Sequence, residues 1–467
     1  MPTTTALDAD RLLPVEPRVR DLARELYQAV ATAPILSPHG HVAPSLLLDG
    51  GRFADPADVF ITHDHYVTRM LVAAGASFTD LGLDPAHASD PREVWRLLAA
   101  NWHRFAGTAS GYWLTHELAE LFGITDELDA ENADRLYDRV DARLADPDFT
   151  PRALFGRFRI EVLATTDDPL DSLETHALLA ADPGFDGRVL PTFRPDAYLD
   201  PEADGFHERV DRLLDAAGRP ASFAGYLAAL EERRAHFIRH GAVSADHGVL
   251  EPFTIELDPV ESEALFRSAM AGTLDESGAR RFRGHMLWQS ARMSVADELV
   301  MTVHPGVRRN HHRPTFERFG ADTGHDIPVR TEYTENLRPL LERFGLEPGF
   351  HLVLFAVDET VSSREVAPLA GFYPSVYIGA PWWFLDAPDA ILRWRSATTE
   401  TAGFYRSSGF IDDTRAFLSI PARHDTARRV DASFLARLVA EGRVSLPTAH
   451  RIARDLVDVI PREVFKL

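Results

Sequence analysis

Eight short apolar runs, rich in β-branched residues and each ending in polar ones, recur along this chain, and that recurrence limits the fold more than any other feature. Pro34–Ser37 leads into His39 and His41, Ile160–Ala164 into Thr165-Thr166-Asp167-Asp168, and Val189–Phe193 into Arg194-Pro195-Asp196. Ala242–Ala245 leads into Asp246-His247-Gly248, Leu299–Val303 into His304, and Leu352–Val357 into Asp358. Val376–Gly379 precedes Trp382-Trp383, and Phe410–Ile411 precedes Asp412-Asp413-Thr414-Arg415. Between the runs lie helical patterns, such as Pro169–Ala181, Phe206–Ala217, Phe223–Arg239 and Glu335–Phe344. Strands that alternate with helices are parallel, and eight such units close into a (β/α)8 barrel of the TIM type. Functional groups in that architecture sit at the C-terminal ends of the strands, where these polar residues fall. One polar residue after a buried strand is an ordinary loop residue; eight in succession, dominated by His, Asp and Arg, point to a site.

More than a hundred residues separate the first run from the second, far too many for a strand-to-helix loop. Residues 42–158 therefore read as a helical insertion, with helical spacing over Leu71–Gly82, Arg92–Phe105, Tyr112–Leu121 and Ala133–Leu144. Ahead of it, Pro17 opens an amphipathic helix carrying Val19, Leu22, Leu26, Tyr27 and Val30 on one stripe. The expected organisation is residues 1–41 for this helix and strand one, 42–158 for a lid over the barrel mouth, and 159–467 for the rest of the barrel with C-terminal helices.

Composition narrows the chemistry. A formal net charge of −22 argues against a nucleic-acid backbone or an anionic membrane as partner. An anionic substrate would then need its own local arginines. The absence of cysteine removes disulfides, thiol nucleophiles and Cys-ligated zinc, and sits easily with a reducing cytoplasm. Met1–Pro14 lacks a basic segment followed by an apolar run, so no signal peptide is expected, and no stretch approaches the ~20 apolar residues of a membrane span. Lys466 is the only lysine and lies one residue from the C-terminus, a poor place for a Schiff base or a metal-bridging carbamate.

The strand ends supply a coherent set of groups. His39 and His41, at i and i+2 on an extended segment, point to one face. Strands one and eight are neighbours in a closed barrel, so Asp413 can complete a mononuclear divalent site of two imidazoles and one carboxylate with open positions. Asp412 faces the other way on a regular strand and is structural. Arg415 shares the face of Asp413 and can bind a carboxylate or stabilise an oxyanion, while Arg194 offers a bidentate clamp. For each arginine an ordinary salt bridge is the competing explanation.

Val376-Tyr377-Ile378-Gly379-Ala380-Pro381-Trp382-Trp383-Phe384, Asp413-Thr414-Arg415-Ala416-Phe417-Leu418-Ser419 and Arg423-His424-Asp425 with Arg428-Arg429 resemble the uronate isomerases, divergent members of the amidohydrolase superfamily. Asp64-His65-Tyr66 with Arg69, Thr166-Asp167-Asp168-Pro169, Phe193-Arg194-Pro195-Asp196, Asp246-His247-Gly248 and His304-Pro305-Gly306 with Arg309-Asn310 follow the same order, so the resemblance spans essentially the whole chain. It implies metal-dependent interconversion of glucuronate with fructuronate and of galacturonate with tagaturonate, with one divalent ion, zinc, on His39, His41 and Asp413. Tyr66, Arg194, His304, Trp382 and Arg415 would contact the sugar acid, with Asp246 also on the substrate side; Asp413, Arg415, His304 and Tyr66 would be catalytic. A homo-oligomer is expected. One position departs from the family: Ser37 stands where an Asp is usual two residues before the first metal histidine, and Pro38 follows, so strand one should end early.

Moving a carbonyl from C1 to C2 needs a base and a Lewis acid for the enediolate. Asp413 is the candidate base, with Arg415 or His304 stabilising oxygen charge. The strand ends hold too few carboxylates for a two-metal hydride shift. The alternatives are a mononuclear metal-dependent hydrolase acting on a sugar-acid lactone or amide, and a sugar-acid binding protein that has lost catalysis.

Overall fold

The computed structural model describes residues 7–48 and 50–467. The Met1–Pro14 reading falls partly on residues 1–6, outside the described residues. Seven of the eight apolar runs contain a parallel strand. β1 (Ile35–Ser37), β2 (Ile160–Ala164) and β3 (Arg188–Leu190) form one ladder; β4 (Ser244–His247), β5 (Val300–Val303), β6 (Leu352–Leu354) and β7 (Val376–Ile378) form another. The two are joined through Phe193, whose N–H donates to Ser244 O at 3.2 Å and whose carbonyl accepts from Asp246 N at 2.9 Å. The result is a (β/α)8-type barrel, and its strands are buried on both faces, which explains apolar runs without polar alternation.

The eighth run differs from expectation. Phe410–Ile411 forms no ladder of its own. Closure comes instead from single hydrogen bonds at either end of an extended segment: Ser408 N donates to Ile378 O at 2.9 Å, and His41 N donates to Thr414 O at 2.9 Å. Gly409 (φ 75°) and Asp413 (φ 40°) interrupt the extended conformation, so a regular ladder cannot form.

The helices Phe206–Ala217, Phe223–Arg239 and Ala133–Leu144 lie where the periodicity puts them. Others shift. The expected Pro169–Ala181 helix begins only at Glu174, because Asp168 and Asp171 side chains accept Leu170 N and Leu173 N and hold the preceding residues in turns. Similarly, the Glu332 carboxylate accepts Glu335 N and Asn336 N, and the helix expected from Glu335 starts at Arg338. The expected Leu71–Gly82 helix instead runs His65–Ala73. Asp64 caps its N-terminus by accepting Tyr66 N at 2.8 Å, and Gly75 at φ 105° lies beyond its end. That shift places His65 and Tyr66 on the first helical turn.

Between β1 and β2 the described chain is helical, with Pro91–Asn101, Ala109–Phe122, Ala133–Leu144 and Pro151–Arg157 the main elements. Trp95, Leu98, Leu118, Phe122, Leu136 and Phe155 share one continuous core with Ile35, Ile160 and Leu163 of the barrel. At the far end of the chain, Ile420–Ala440 packs along the N-terminal helix Pro17–Gln28, where Asp425 accepts from Tyr27 and Arg429. Among the described residues no helix is long and apolar enough to cross a membrane.

Candidate functional site

β1 ends at Ser37, as the missing N–H of Pro38 requires, and the extended chain continues through His39 and His41. Ser37 Oγ is buried there without a hydrogen-bond partner among the described residues. His39 Nε2 lies 3.4 Å from Asp413 Oδ1, and His41 Nε2 lies 3.0 Å from the same oxygen. The positive φ of Asp413 costs about 1–3 kcal/mol in a residue with a Cβ and aims its carboxylate at both histidines. Asp412, as expected, turns away and accepts from His424 Nε2 at 2.9 Å.

His304 stands closer to this group than the sequence suggested. Its ring stacks on His39 with centroids 4.6 Å apart and on Phe355 at 3.9 Å, with Trp382 edge-on at 4.7 Å. His39, His304 and Asp413 offer ligand atoms all within 4.8 Å of one another. His304 Nδ1 is 2.6 Å from Asp246 Oδ1, an arrangement that places the proton on Nδ1 and leaves the Nε2 lone pair free. His304 Nε2 and Asp413 Oδ1 are buried and make no well-formed hydrogen bond with any described residue. Imidazole and carboxylate atoms aimed at one another without partners, one imidazole oriented by a carboxylate behind it, fit a divalent cation.

Asp246 lies beneath the cavity rather than in its wall. It is fully buried, and burial alone would favour its neutral form; His304, His39 and Arg194 hold its carboxyl well below the usual range. Arg194 Nη1 is 3.3 Å from Asp246 Oδ2, and Arg194 Nε donates to Asp196 Oδ2 at 2.8 Å. Burial works against the guanidinium, but Asp196 and Asp246 keep it charged. Gly248 completes this corner: its N–H donates to Asp196 Oδ1 at 2.9 Å, and a Cβ there would stand 2.7 Å from Arg194 Nη2. The glycine leaves room for the arginine.

The cavity is lined by His39, His41, Tyr66, Arg194, His304, Trp382, Asp413 and Arg415, and also by His65, Arg309 and Trp383. The last three belong to stretches that carry the family resemblance, but the sequence alone gives them no role. Burial, with Arg415 nearby, pushes His65 down to about 3, so its imidazole is neutral, and burial raises the Tyr66 phenol well above its ordinary value. Arg309 lies over the Trp383 ring at 4.7 Å, and Arg415 Nη1 is 3.2 Å from Asp322 Oδ2. The free space is small, about 30 Å³, room for a few water molecules at most. Three guanidinium groups around a His–Asp cluster suit a small carboxylate ligand, in a chain whose overall charge repels anions.

Comparison with known proteins agrees with this geometry. The family model for glucuronate isomerase matches residues 17–464. A uronate isomerase of Corynebacterium efficiens is 52% identical over 469 residues, covering 100% of both chains, and one of Cutibacterium acnes is 50% identical, covering 99% of both. The crystal structure of glucuronate isomerase from Caulobacter crescentus superimposes with a TM-score of 0.97 at 46% identity, covering 99% of this chain and 97% of that one. Uronate isomerase from Thermotoga maritima gives 0.92 at 27% identity over 98% and 99%. With the matched region reaching from the first helix to the last, the chain belongs to the glucuronate isomerase family.

Proposed function

We propose that this chain isomerises uronic acids, D-glucuronate to D-fructuronate and D-galacturonate to D-tagaturonate, with one divalent ion, zinc, held by His39, His41 and Asp413, and with His304 close enough to join them. The observation that carries the reading is the convergence of His39 and His41 on Asp413 Oδ1, at 3.4 and 3.0 Å, in a cavity that also holds Arg194 and Arg415. Such an ion, when bound, supplies Lewis acidity that stabilises negative charge on the enediolate oxygens.

The rest falls to the chain's own groups. Arg194, fixed by Asp196 and Asp246, presents a charged fork to the substrate carboxylate and sets the position of C1 and C2. Asp413 takes the proton from C2 of the open-chain aldose and returns it to C1. The hydroxyl proton on O2 must pass to O1, so that the aldehyde becomes an alcohol as C2 becomes a ketone. Tyr66, held in its protonated form by burial, is at hand for that relay, and Arg415 offsets charge on the oxygens. Trp382 and Trp383 form an apolar part of the cavity wall. With about 30 Å³ free, entry of a sugar acid requires side chains at the mouth to swing aside.

Family membership favours isomerisation over the hydrolytic alternative. A homo-oligomer acting in the cytoplasm belongs to the same proposal, and light scattering of the purified chain tests the assembly. The functional test is incubation of zinc-loaded protein with glucuronate and with galacturonate, monitored for ketose. Formation of fructuronate and tagaturonate supports the proposal; no ketose from either acid rejects it.

A further inference from the structure

A second polar cavity lies away from the strand-end cluster, by the N-terminal ends of β1 and β2 and against Ile420–Ala440. It encloses about 890 Å³, within the range of small-molecule pockets. Six arginines line it (Arg11, Arg24, Arg157, Arg159, Arg428 and Arg429) against four acids, Asp10, Glu117, Glu120 and Asp425. In a chain of net charge −22 this excess of cations is local and needs a reason.

The acids are largely committed. Asp10 pairs with Arg24, and Asp425 accepts from Arg11 and Arg429, each at 2.8 Å. Burial holds the Glu117 carboxyl well above the usual range, which favours its neutral form. Arg157, Arg159 and Arg428 remain, and among the described residues none makes an ion pair. Arg428 is the most informative. It is 8% exposed, donates only to the carbonyls of Ala31 at 3.2 Å and Pro34 at 2.9 Å, and leaves Nε without a partner. Burial, opposed by the Asp425 carboxylate and reinforced by the nearby Arg159, pushes its guanidinium down to about 10. Arg159 is itself held at φ 56°, a strained conformation for a residue with a Cβ, while its carbonyl accepts Ile35 N at 2.8 Å. A buried guanidinium with no carboxylate in ion-pair contact is costly, and a bound anion lowers that cost.

We propose that this cavity is a second binding site, separate from the uronate site, for a phosphate-bearing small molecule held by Arg157, Arg159 and Arg428. A phosphate monoester offers three terminal oxygens to separate guanidinium forks, whereas a single carboxylate offers two.

Calorimetric titration of the zinc-loaded full-length chain with inorganic phosphate, and separately with citrate, tests the site. One phosphate should bind per chain, more tightly than citrate. Its Kd should rise at least about tenfold, or roughly 1.4 kcal/mol, in the double variant R157Q/R159Q and in Arg428→Gln. Arg157 and Arg159 are exposed, so the double variant keeps its fold even if Arg428→Gln does not, and its melting temperature checks this. Asp413→Asn should bind phosphate as wild type does. No phosphate binding, unchanged affinity in R157Q/R159Q, tighter binding of citrate, or loss of binding in Asp413→Asn would each overturn the proposal. None of these outcomes depends on whether the strand-end site isomerises uronates.

Discussion

Gly248→Ala is the sharpest test of how the substrate carboxylate is positioned. The new Cβ would stand 2.7 Å from Arg194 Nη2 and 2.8 Å from Asp196 Oδ2. Ordinary carbon contacts begin near 3.5 Å, so the guanidinium must retreat by about 0.8 Å (3.5 − 2.7). Both obstructing atoms are the far ends of side chains, so the clash is relieved by moving Arg194 together with its partner Asp196 rather than by rebuilding backbone. Stability should fall little, while placement of the clamp is lost. A charge-assisted hydrogen bond is worth about 1.5–3 kcal/mol, and a displacement near 1 Å costs up to about 100-fold in rate. We therefore expect kcat/KM for glucuronate to drop roughly 10- to 100-fold, with KM rising and metal content unchanged. Steady-state kinetics beside a thermal melt reads both. Wild-type kcat/KM within a factor of two, with the substitution confirmed by mass spectrometry, would refute the role given to Arg194.

Arg194→Lys replaces the fork with a point charge and should raise KM about tenfold; an unchanged KM would make Arg194 a structural ion-pair residue. His39→Ala and His41→Ala should each cut zinc content sharply while circular dichroism stays native; full metal occupancy in either variant would remove that histidine from the ligand set. Asp386, buried beside Arg423, is raised by burial to about 7, above its unfolded value of about 4. The folded chain therefore holds this proton longer than the unfolded one, so the contribution is full below pH ~4 and declines as pH rises towards ~7. Melting temperature against pH should show that decline flattened in Asp386→Asn; an identical slope in both proteins would show that Asp386 does not titrate in this window.

Much of the barrel was legible because parallel strands are buried on both faces and so stand out as apolar runs; seven of the eight carry strands that begin within two residues of the expected place. The eighth departs from a regular strand because Gly409 and Asp413 adopt positive φ, and nothing local marks a non-glycine residue for that conformation. The Leu71–Gly82 helix was displaced for a local reason: Asp64 is a strong N-cap, and the Ala-rich stretch past Ala73 carries helical spacing that Gly75 breaks. At the site, the i, i+2 geometry of His39 and His41 and the adjacency of strands one and eight were enough to bring Asp413 to both. His304 was expected on the substrate side, yet its place within the ligand group depends on stacking against His39 and on the Asp246 carboxylate from the neighbouring strand. Those contacts are tertiary. His65, Arg309 and Trp383 enter the cavity from the insertion helix and the loops after β5 and β7, whose positions local periodicity does not encode.

The central claim is that Asp413 moves a proton between C2 and C1, and isomerisation of glucuronate in heavy water tests it most directly. Because the carboxylic acid formed on Asp413 exchanges with solvent, the ketose should carry deuterium at C1, and unreacted glucuronate should gain it at C2 through the reverse step. Nuclear magnetic resonance of the product reads both positions in one sample. Fructuronate bearing only the substrate's own hydrogen at C1, with no deuterium in recovered glucuronate after many turnovers, would contradict the account and point to an internal hydride shift.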